Sequence, residues 1–169
     1  MAANQNQRRA DADQFEIIFT SDYVQIPDLK KLRALAREHW NCDEMADVEP
    51  SVIIPAGSRK RIIIVGLQNL HNSLTQGTSP EHCIDYIAKH GSLPNVFGVA
   101  LAIELFREKL HDRRAILGFD HPKHLAVMPG YSTGIVPMAY PEHGIIRYGR
   151  EEFSNTVSYP DCFMYWSDQ

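Results

Sequence analysis

The run Arg61-Ile62-Ile63-Ile64-Val65 decides the fold of this chain. Three consecutive isoleucines followed by a valine give the β-branched composition that strands favour. Because alternate residues of a strand face opposite sides of a sheet, an apolar run of this kind indicates a strand that is buried on both faces. The run therefore predicts a central strand of a sheet.

The residues before this run predict three further elements. Phe15–Thr20 is rich in β-branched and aromatic residues, which is typical of a strand. A helix is predicted to open at Pro27, with Asp28 in its first turn, and to stop near Asn41. Turn residues separate residues 51–54 from the isoleucine run, and this arrangement predicts that the two segments form an antiparallel hairpin.

The residues after the run predict two helices and then several strands. A Thr or Ser cap, Thr78 or Ser79, precedes Pro80 at the start of a helix that ends at Gly91, and Thr78 with Glu81 fits a capping box. Residues 94–110 carry a wide apolar stripe and are predicted to be the main core helix. Short β-branched runs separated by Pro and Gly predict strands at residues 115–119, 125–128, 134–138 and 144–148.

These elements predict a single α+β domain over residues 14–169. It has a mixed or antiparallel sheet, about three helices and a β-rich C-terminal half. Residues 1–13 are polar and are expected to be a flexible N-terminal tail. The chain has 169 residues, of which 44% are hydrophobic, and this composition excludes a disordered protein.

Charge and cysteine content limit the class of protein. The net charge is −4 and neither half is basic, which disfavours nucleic acid as a partner. The longest apolar run, residues 96–106, is shorter than the roughly 20 residues that cross a bilayer, so no membrane is expected.

The three cysteines are widely spaced and form no C-x-x-C motif. Cys83 is expected to be buried and Cys42, at a helix end, is a candidate for exposure. The expected location is the cytoplasm.

Histidine is the residue type that suggests chemistry, since the chain has eight of them. His111, His121, His124 and His143 lie close together in the sequence, and Asp120 directly precedes His121. Imidazole and carboxylate together suit zinc, iron or manganese, so Asp120, His121 and His124 are candidate ligands of a divalent metal. Acid–base catalysis by His121 or His124 without a metal is one alternative, and histidines of a surface loop are another.

Two further polar groups are candidates for a site. Asn69, His71 and Asn72 follow the isoleucine strand, where His71 is a candidate general base and the two asparagines are candidates for substrate binding. Ser132 and Thr133 lie between two glycines in a loop that is also a candidate for substrate binding. His39, His82 and His90 fall on predicted helices and are interpreted as structural or surface residues.

The contacts of two further segments are predicted from their side chains. Arg59-Lys60-Arg61 is a short basic run, which is either solvated surface or a contact for phosphate or an acidic partner. The C-terminal residues Tyr159, Phe163, Tyr165 and Trp166 are aromatic and are expected to pack on the domain or on another subunit.

Two functions of different classes follow from these patterns. The first is a small soluble enzyme acting on a small-molecule substrate, a histidine-based or metal-dependent hydrolase or lyase. The second is a non-catalytic assembly or accessory protein, with a viral or plasmid origin as one option, that acts through a protein partner or as a homo-oligomer.

Overall fold

The computed structural model describes residues 14–68, 77–110, 114–158 and 161–169. The predicted tail, residues 1–13, lies outside them. The elements in chain order are β1 (Phe15–Thr20), β2 (Val24–Gln25), α1 (Leu29–Trp40), α2 (Asp43–Ala46), β3 (Arg59–Leu67), β4 (Gly77–Thr78), α3 (Pro80–His90), α4 (Asn95–Leu110), β5 (Ile116–Leu117), a single 3-10 turn (Pro122–His124), β6 (Ile135–Glu142), β7 (Ile145–Glu152), β8 (Val157–Ser158) and β9 (Cys162–Ser167). The α+β class and the strand-rich C-terminal half are confirmed.

The main sheet is mixed and contains seven strands. Six run in the order β1-β3-β9-β5-β6-β7, and β2 pairs with the start of β3. β3 lies inside the sheet, antiparallel to β1 on one side and to β9 on the other. The isoleucine run of β3 is buried, so the predicted strand with two covered faces is confirmed.

The alternation of residues along β3 separates two hydrophobic cores. Ile62 and Ile64 belong to the core that also contains residues of α1, α2 and α4. Ile63 and Val65 belong to the core that contains residues of α3. Because neighbouring residues of a strand point to opposite faces, consecutive isoleucines supply both cores. α4 is buried along most of its length, as predicted for the main core helix.

The predicted hairpin between residues 51–54 and the isoleucine strand is wrong. Residues 51–54 form no strand, and β2 pairs with the start of β3 instead, with Val24 opposite Lys60. Pro50 and Pro55 flank the segment, and neither has an N–H for a sheet ladder. The backbone N–H of Ser51 donates to the Asp120 carboxylate, which is a stronger acceptor than a neutral carbonyl.

Side-chain caps define where two helices begin. Asp28 precedes α1 and its carboxylate accepts from the N–H of Lys31 at 2.8 Å, so it is the N-cap and not a residue of the first turn. Ser79 caps α3 by accepting from the N–H of His82, so of the two predicted caps the serine is the one used, and not the box of Thr78 and Glu81. None of the helices in the described ranges combines the length and the hydropathy that a bilayer span requires.

The C-terminal half builds one side of the sheet. β6 and β7 form a hairpin with His143 and Gly144 in the turn. The φ angles of these two residues are positive, 50° for His143 and 81° for Gly144. This pair of angles fits a two-residue turn that matches the strand twist. The predicted strand at residues 125–128 is wrong, since only Ala126 forms a bridge, opposite Ile135. The aromatic β9 lies between β3 and β5 and packs inside the chain, as expected for Phe163, Tyr165 and Trp166, whereas Tyr159 lies outside the described residues.

Candidate functional site

The carboxylate of Asp120 anchors three segments of the structure. Asp120 is buried, with 1% of its surface exposed. Its Oδ2 accepts from the N–H of Ser51 at 3.0 Å and from Nδ2 of Asn95 at 2.6 Å. Its Oδ1 accepts from the N–H of His121 at 2.7 Å and from the Ser51 hydroxyl. A carboxylate has about four acceptor positions, so these four donors occupy it.

The two histidines next to Asp120 do not converge with it on a common point. His121 is exposed, and Nδ1 of His124 contacts the backbone oxygen of Glu49 at 2.7 Å. Within the described ranges, no three His, Cys, Asp or Glu side chains are arranged to hold a metal ion. The arrangement therefore gives no support to a metal centre at Asp120, His121 and His124. An acid–base role for His121 or His124 stays a prediction.

The other predicted site residues are only partly described. Asn69, His71, Asn72 and His111 lie outside the described residues, and their roles stay predictions. The loop that contains Ser132 and Thr133 is held against the end of β7. The N–H of Ser132 donates to Oε1 of Glu152 at 2.9 Å. The hydroxyl of Thr133 accepts from the N–H of Ser154 at 3.3 Å.

All three cysteines are buried. Burial raises the pKa of the Cys83 thiol, which keeps it protonated at neutral pH. The suggested exposure of Cys42 is wrong, because its side chain joins the core shared by α1, α2 and α4.

A cluster of titratable side chains lies where the end of α1 meets α4 and β7. The imidazole of His39 stacks on the phenol of Tyr148, with ring centroids 4.8 Å apart and an angle of 15° between the planes. Oε2 of Glu104 lies 3.8 Å from Nε2 of His39. Nη2 of Arg107 donates to the Tyr148 oxygen at 3.3 Å. We call these four residues the His39 cluster.

Trp40 holds the elements of the His39 cluster together. Its Nε1 donates to the backbone oxygen of Gly149 at 2.9 Å, which fixes the end of α1 against β7. Its ring also packs edge-on against Tyr148, with centroids 5.1 Å apart. Burial of Trp40 on the apolar stripe of α1 therefore brings its neighbour His39 to the strand that carries Tyr148.

His39 is the buried and unbonded member of the cluster. Its side chain is 6% exposed. Its Nε2 has no hydrogen-bond partner in the part of the chain that the structure describes. The pKa of His39 is lowered from its ordinary value of 6.5, and burial is the largest cause. The charge of Arg107 lowers this pKa further, whereas the charges of Glu38 and Glu104 raise it. The imidazole is therefore neutral at neutral pH. Buried polar atoms without partners and shifted pKa values are often found at functional sites.

Tyr148 supplies a hydroxyl donor to the cluster. Burial is the main cause that raises the pKa of Tyr148, so the phenol is protonated at neutral pH. Its oxygen already accepts from Arg107. Among the described residues, the Tyr148 hydroxyl donates to no acceptor.

A break in α4 opens the surface beside the cluster. Phe106 has φ −128° and ψ 20°, which is not helical, and it lies between Glu104 and Arg107. Residues 104–109 line a surface depression of about 430 Å³. Glu104 and Arg107 belong both to the cluster and to this open depression, so the two adjoin.

Sequence reasoning missed the His39 cluster because its members are distant in the chain. Position on a helix indicates a structural or surface role for His39, and no local motif links it to Tyr148. One signal was present: His39 directly precedes Trp40, a large side chain that belongs to the apolar stripe of α1. A histidine next to such an anchor is carried to the edge of the core. Its partners follow only from the packing of α1 on β7.

Comparisons of the chain with protein-family models, with curated proteins and with solved structures found no match.

Proposed function

We propose that the protein is a small histidine-based enzyme, a hydrolase in which His39 transfers the proton. The observation that carries this proposal is the buried Nε2 of His39, which has no hydrogen-bond partner in the described part of the chain and lies beside Glu104. A general base must be unprotonated at the working pH, and the lowered pKa of His39 meets this requirement. The proposal keeps the predicted chemistry and moves it from His121 and His124 to a different histidine.

The cluster supplies the groups that ester hydrolysis requires. Nε2 of His39 removes a proton from water while the water oxygen bonds to the carbonyl carbon. The Tyr148 hydroxyl donates to the carbonyl oxygen as it becomes negative, and Arg107 supports the phenol through its own hydrogen bond. When the bond to the leaving alcohol breaks, protonated His39 returns the proton to the departing oxygen. Protons balance over the cycle, and the enzyme ends in its starting state.

Glu104 has two roles in this proposal. Its carboxylate is half exposed and lies 3.8 Å from Nε2 of His39, a distance that is too long for a hydrogen bond. Because Nε2 is buried, a substrate reaches it only after a movement that uncovers it, and we assign this movement to the Glu104 side chain. The negative charge of Glu104 also stabilises the imidazolium that forms during the reaction.

Hydrolysis of p-nitrophenyl acetate by the purified protein tests the proposal. The probe is a simple activated ester, and the release of p-nitrophenol is followed by absorbance. We expect wild-type protein to hydrolyse it faster than free imidazole at the same concentration, and His39→Gln to reduce the rate to that background. His121→Gln is the matched control, because it removes an exposed histidine outside the cluster, and it is expected to keep the wild-type rate. Equal rates for wild type and His39→Gln would contradict the proposal.

A second candidate function rests on apolar surface at residues 51–54. Ile53 is 64% exposed and Val52 is 37% exposed, and both line an apolar crevice with Ile26 and Leu29. Because an exposed apolar side chain adjoins an apolar crevice, two copies related by a twofold axis can each place Ile53 against the crevice of the other. We therefore infer a homodimer as the alternative. Light scattering tests it: a dimeric mass that Ile53→Ser reduces to a monomeric mass supports it, and a monomeric wild type contradicts it.

A further inference from the structure

We propose that Arg59, Arg61 and Tyr23 form a binding site for a phosphate dianion, either the free anion or the phosphate group of a monoester. These residues lie at the start of β3 and just before β2, away from the His39 cluster on the chain. The proposal is independent of the hydrolase proposal, since no residue is shared between the two. We call these three residues the Tyr23 site.

The Tyr23 site is built around one fixed aromatic ring. The Tyr23 hydroxyl donates to the backbone oxygen of Asp168 at 3.1 Å, which holds the ring near the last residues of the chain. The guanidinium carbon of Arg61 lies 4.5 Å from the ring centroid, and that of Arg59 lies 5.3 Å from it. Arg59 and Arg61 are two residues apart on a strand and therefore project on the same face. Both guanidinium groups are thereby held close to the Tyr23 ring.

The positive charge of the two arginines is not compensated. Lys60, between them, pairs with the carboxylate of Asp168, so this lysine and this aspartate neutralise each other. Across the described ranges, neither Arg59 nor Arg61 forms an ion pair with a carboxylate. Asp22 is the neighbour of Tyr23 in the chain, but it pairs with neither guanidinium. Nε of Arg61 is buried and has no hydrogen-bond partner among the described residues, so one donor of the site is unsatisfied there.

Phosphate is the anion that fits two oriented guanidinium groups best. Guanidinium is planar, and its parallel N–H groups match two oxygens of a phosphate group. Contact with the Tyr23 ring restricts both side chains before binding, which lowers the entropic cost of ordering them. Two positive charges match the charge of a phosphate monoester, which is close to −2 above its second pKa of about 6. A carboxylate has one charge and needs only one of the two arginines.

A titration followed by NMR of the arginine Nε–H groups tests this proposal. The probes are inorganic phosphate and phenyl phosphate, with acetate as a singly charged anion for comparison. The variants Arg59→Lys and Arg61→Lys keep the charge but lose the planar fork. Arg150→Lys is the matched control, because Arg150 is an exposed arginine on β7 without an ion pair in the described ranges. Amide spectra confirm that each variant is folded.

We expect saturable shifts of the Arg59 and Arg61 signals with phosphate and with phenyl phosphate. Either lysine variant should weaken this binding by about tenfold, whereas Arg150→Lys should leave it unchanged. Tighter binding of phenyl phosphate than of inorganic phosphate identifies an organic ester as the ligand, and equal binding identifies the free anion. Shifts that rise linearly without saturation would overturn the proposal. Acetate binding as tight as phosphate binding, or wild-type affinity in both lysine variants, would overturn it as well.

Discussion

The imidazole of His39 lies parallel to the phenol of Tyr148, at 4.8 Å between ring centroids. One residue belongs to the last turn of a helix and the other to the outermost strand of the sheet. The contact depends on Trp40, whose hydrogen bond to Gly149 fixes the end of the helix on that strand. The packing of Trp40 thus positions both the imidazole of His39, a base, and the hydroxyl of Tyr148, a hydrogen-bond donor. This relationship underlies the hydrolase proposal and three of the predictions below.

Tyr148→Phe should separate catalysis from packing. Phenylalanine keeps the ring against His39 and removes only the hydroxyl that we assign to the oxyanion. We expect the rate of p-nitrophenyl acetate hydrolysis to fall by about 100-fold, the scale for loss of one such donor. The thermal midpoint should change little. Tyr131→Phe, at an exposed tyrosine outside the cluster, is the control for loss of a phenol and should retain the rate. Full activity in Tyr148→Phe would exclude the assigned role.

The free energy of unfolding should depend on pH through His39. Well above pH 6.5 the imidazole is neutral in both the folded and the unfolded state and contributes nothing to this dependence. As the pH falls below 6.5, the unfolded chain takes up the proton first, because burial lowers the pKa in the folded state. Stability should therefore fall with decreasing pH, and His39→Gln should make this fall shallower in urea denaturation series. His121→Gln is expected to follow the wild type. Identical slopes for wild type and His39→Gln would show that His39 is not desolvated.

Asp120→Ala should reduce stability and leave catalysis intact. The substitution leaves the N–H groups of Ser51 and His121 and the amide of Asn95 without their acceptor. We expect a loss of about 3 kcal/mol in the free energy of unfolding, measured by urea denaturation. His121→Ala, at an exposed neighbour, should cost less than about 0.5 kcal/mol. If Asp120→Ala is as stable as wild type but no longer hydrolyses the ester, the active site lies at residues 120–124 and not at His39.

The parts of the fold that follow from local pattern are well predicted by the sequence. The apolar run at Ile62 specifies a strand with two buried faces, and the apolar spacing of residues 29–40 and the Ser-Pro start of residues 80–90 specify helices. The hairpin at residues 51–54 fails because a side chain distant in the chain, Asp120, takes the N–H that a strand partner would need. Such long-range competition for a backbone donor leaves no trace in the local composition.

The site is predicted less well, for a related reason. Residues 120–124 bring an aspartate and two histidines together in the chain, yet the fold uses Asp120 as an anchor and directs His124 to the backbone of Glu49. His39 and Tyr148 are far apart in the chain and meet only when α1 packs on β7. Proximity in sequence therefore indicates the wrong histidines here, and only the tertiary packing brings His39 and Tyr148 together.

The most direct test of the central claim is the pH dependence of p-nitrophenyl acetate hydrolysis by wild type and by His39→Gln. If neutral His39 is the base, the wild-type rate should rise through a single ionisation with a pKa below 6.5 and then reach a plateau. His39→Gln should show no such ionisation. An ionisation that persists in His39→Gln, or a wild-type midpoint above 6.5, would contradict the assignment of His39 as the proton-transferring group.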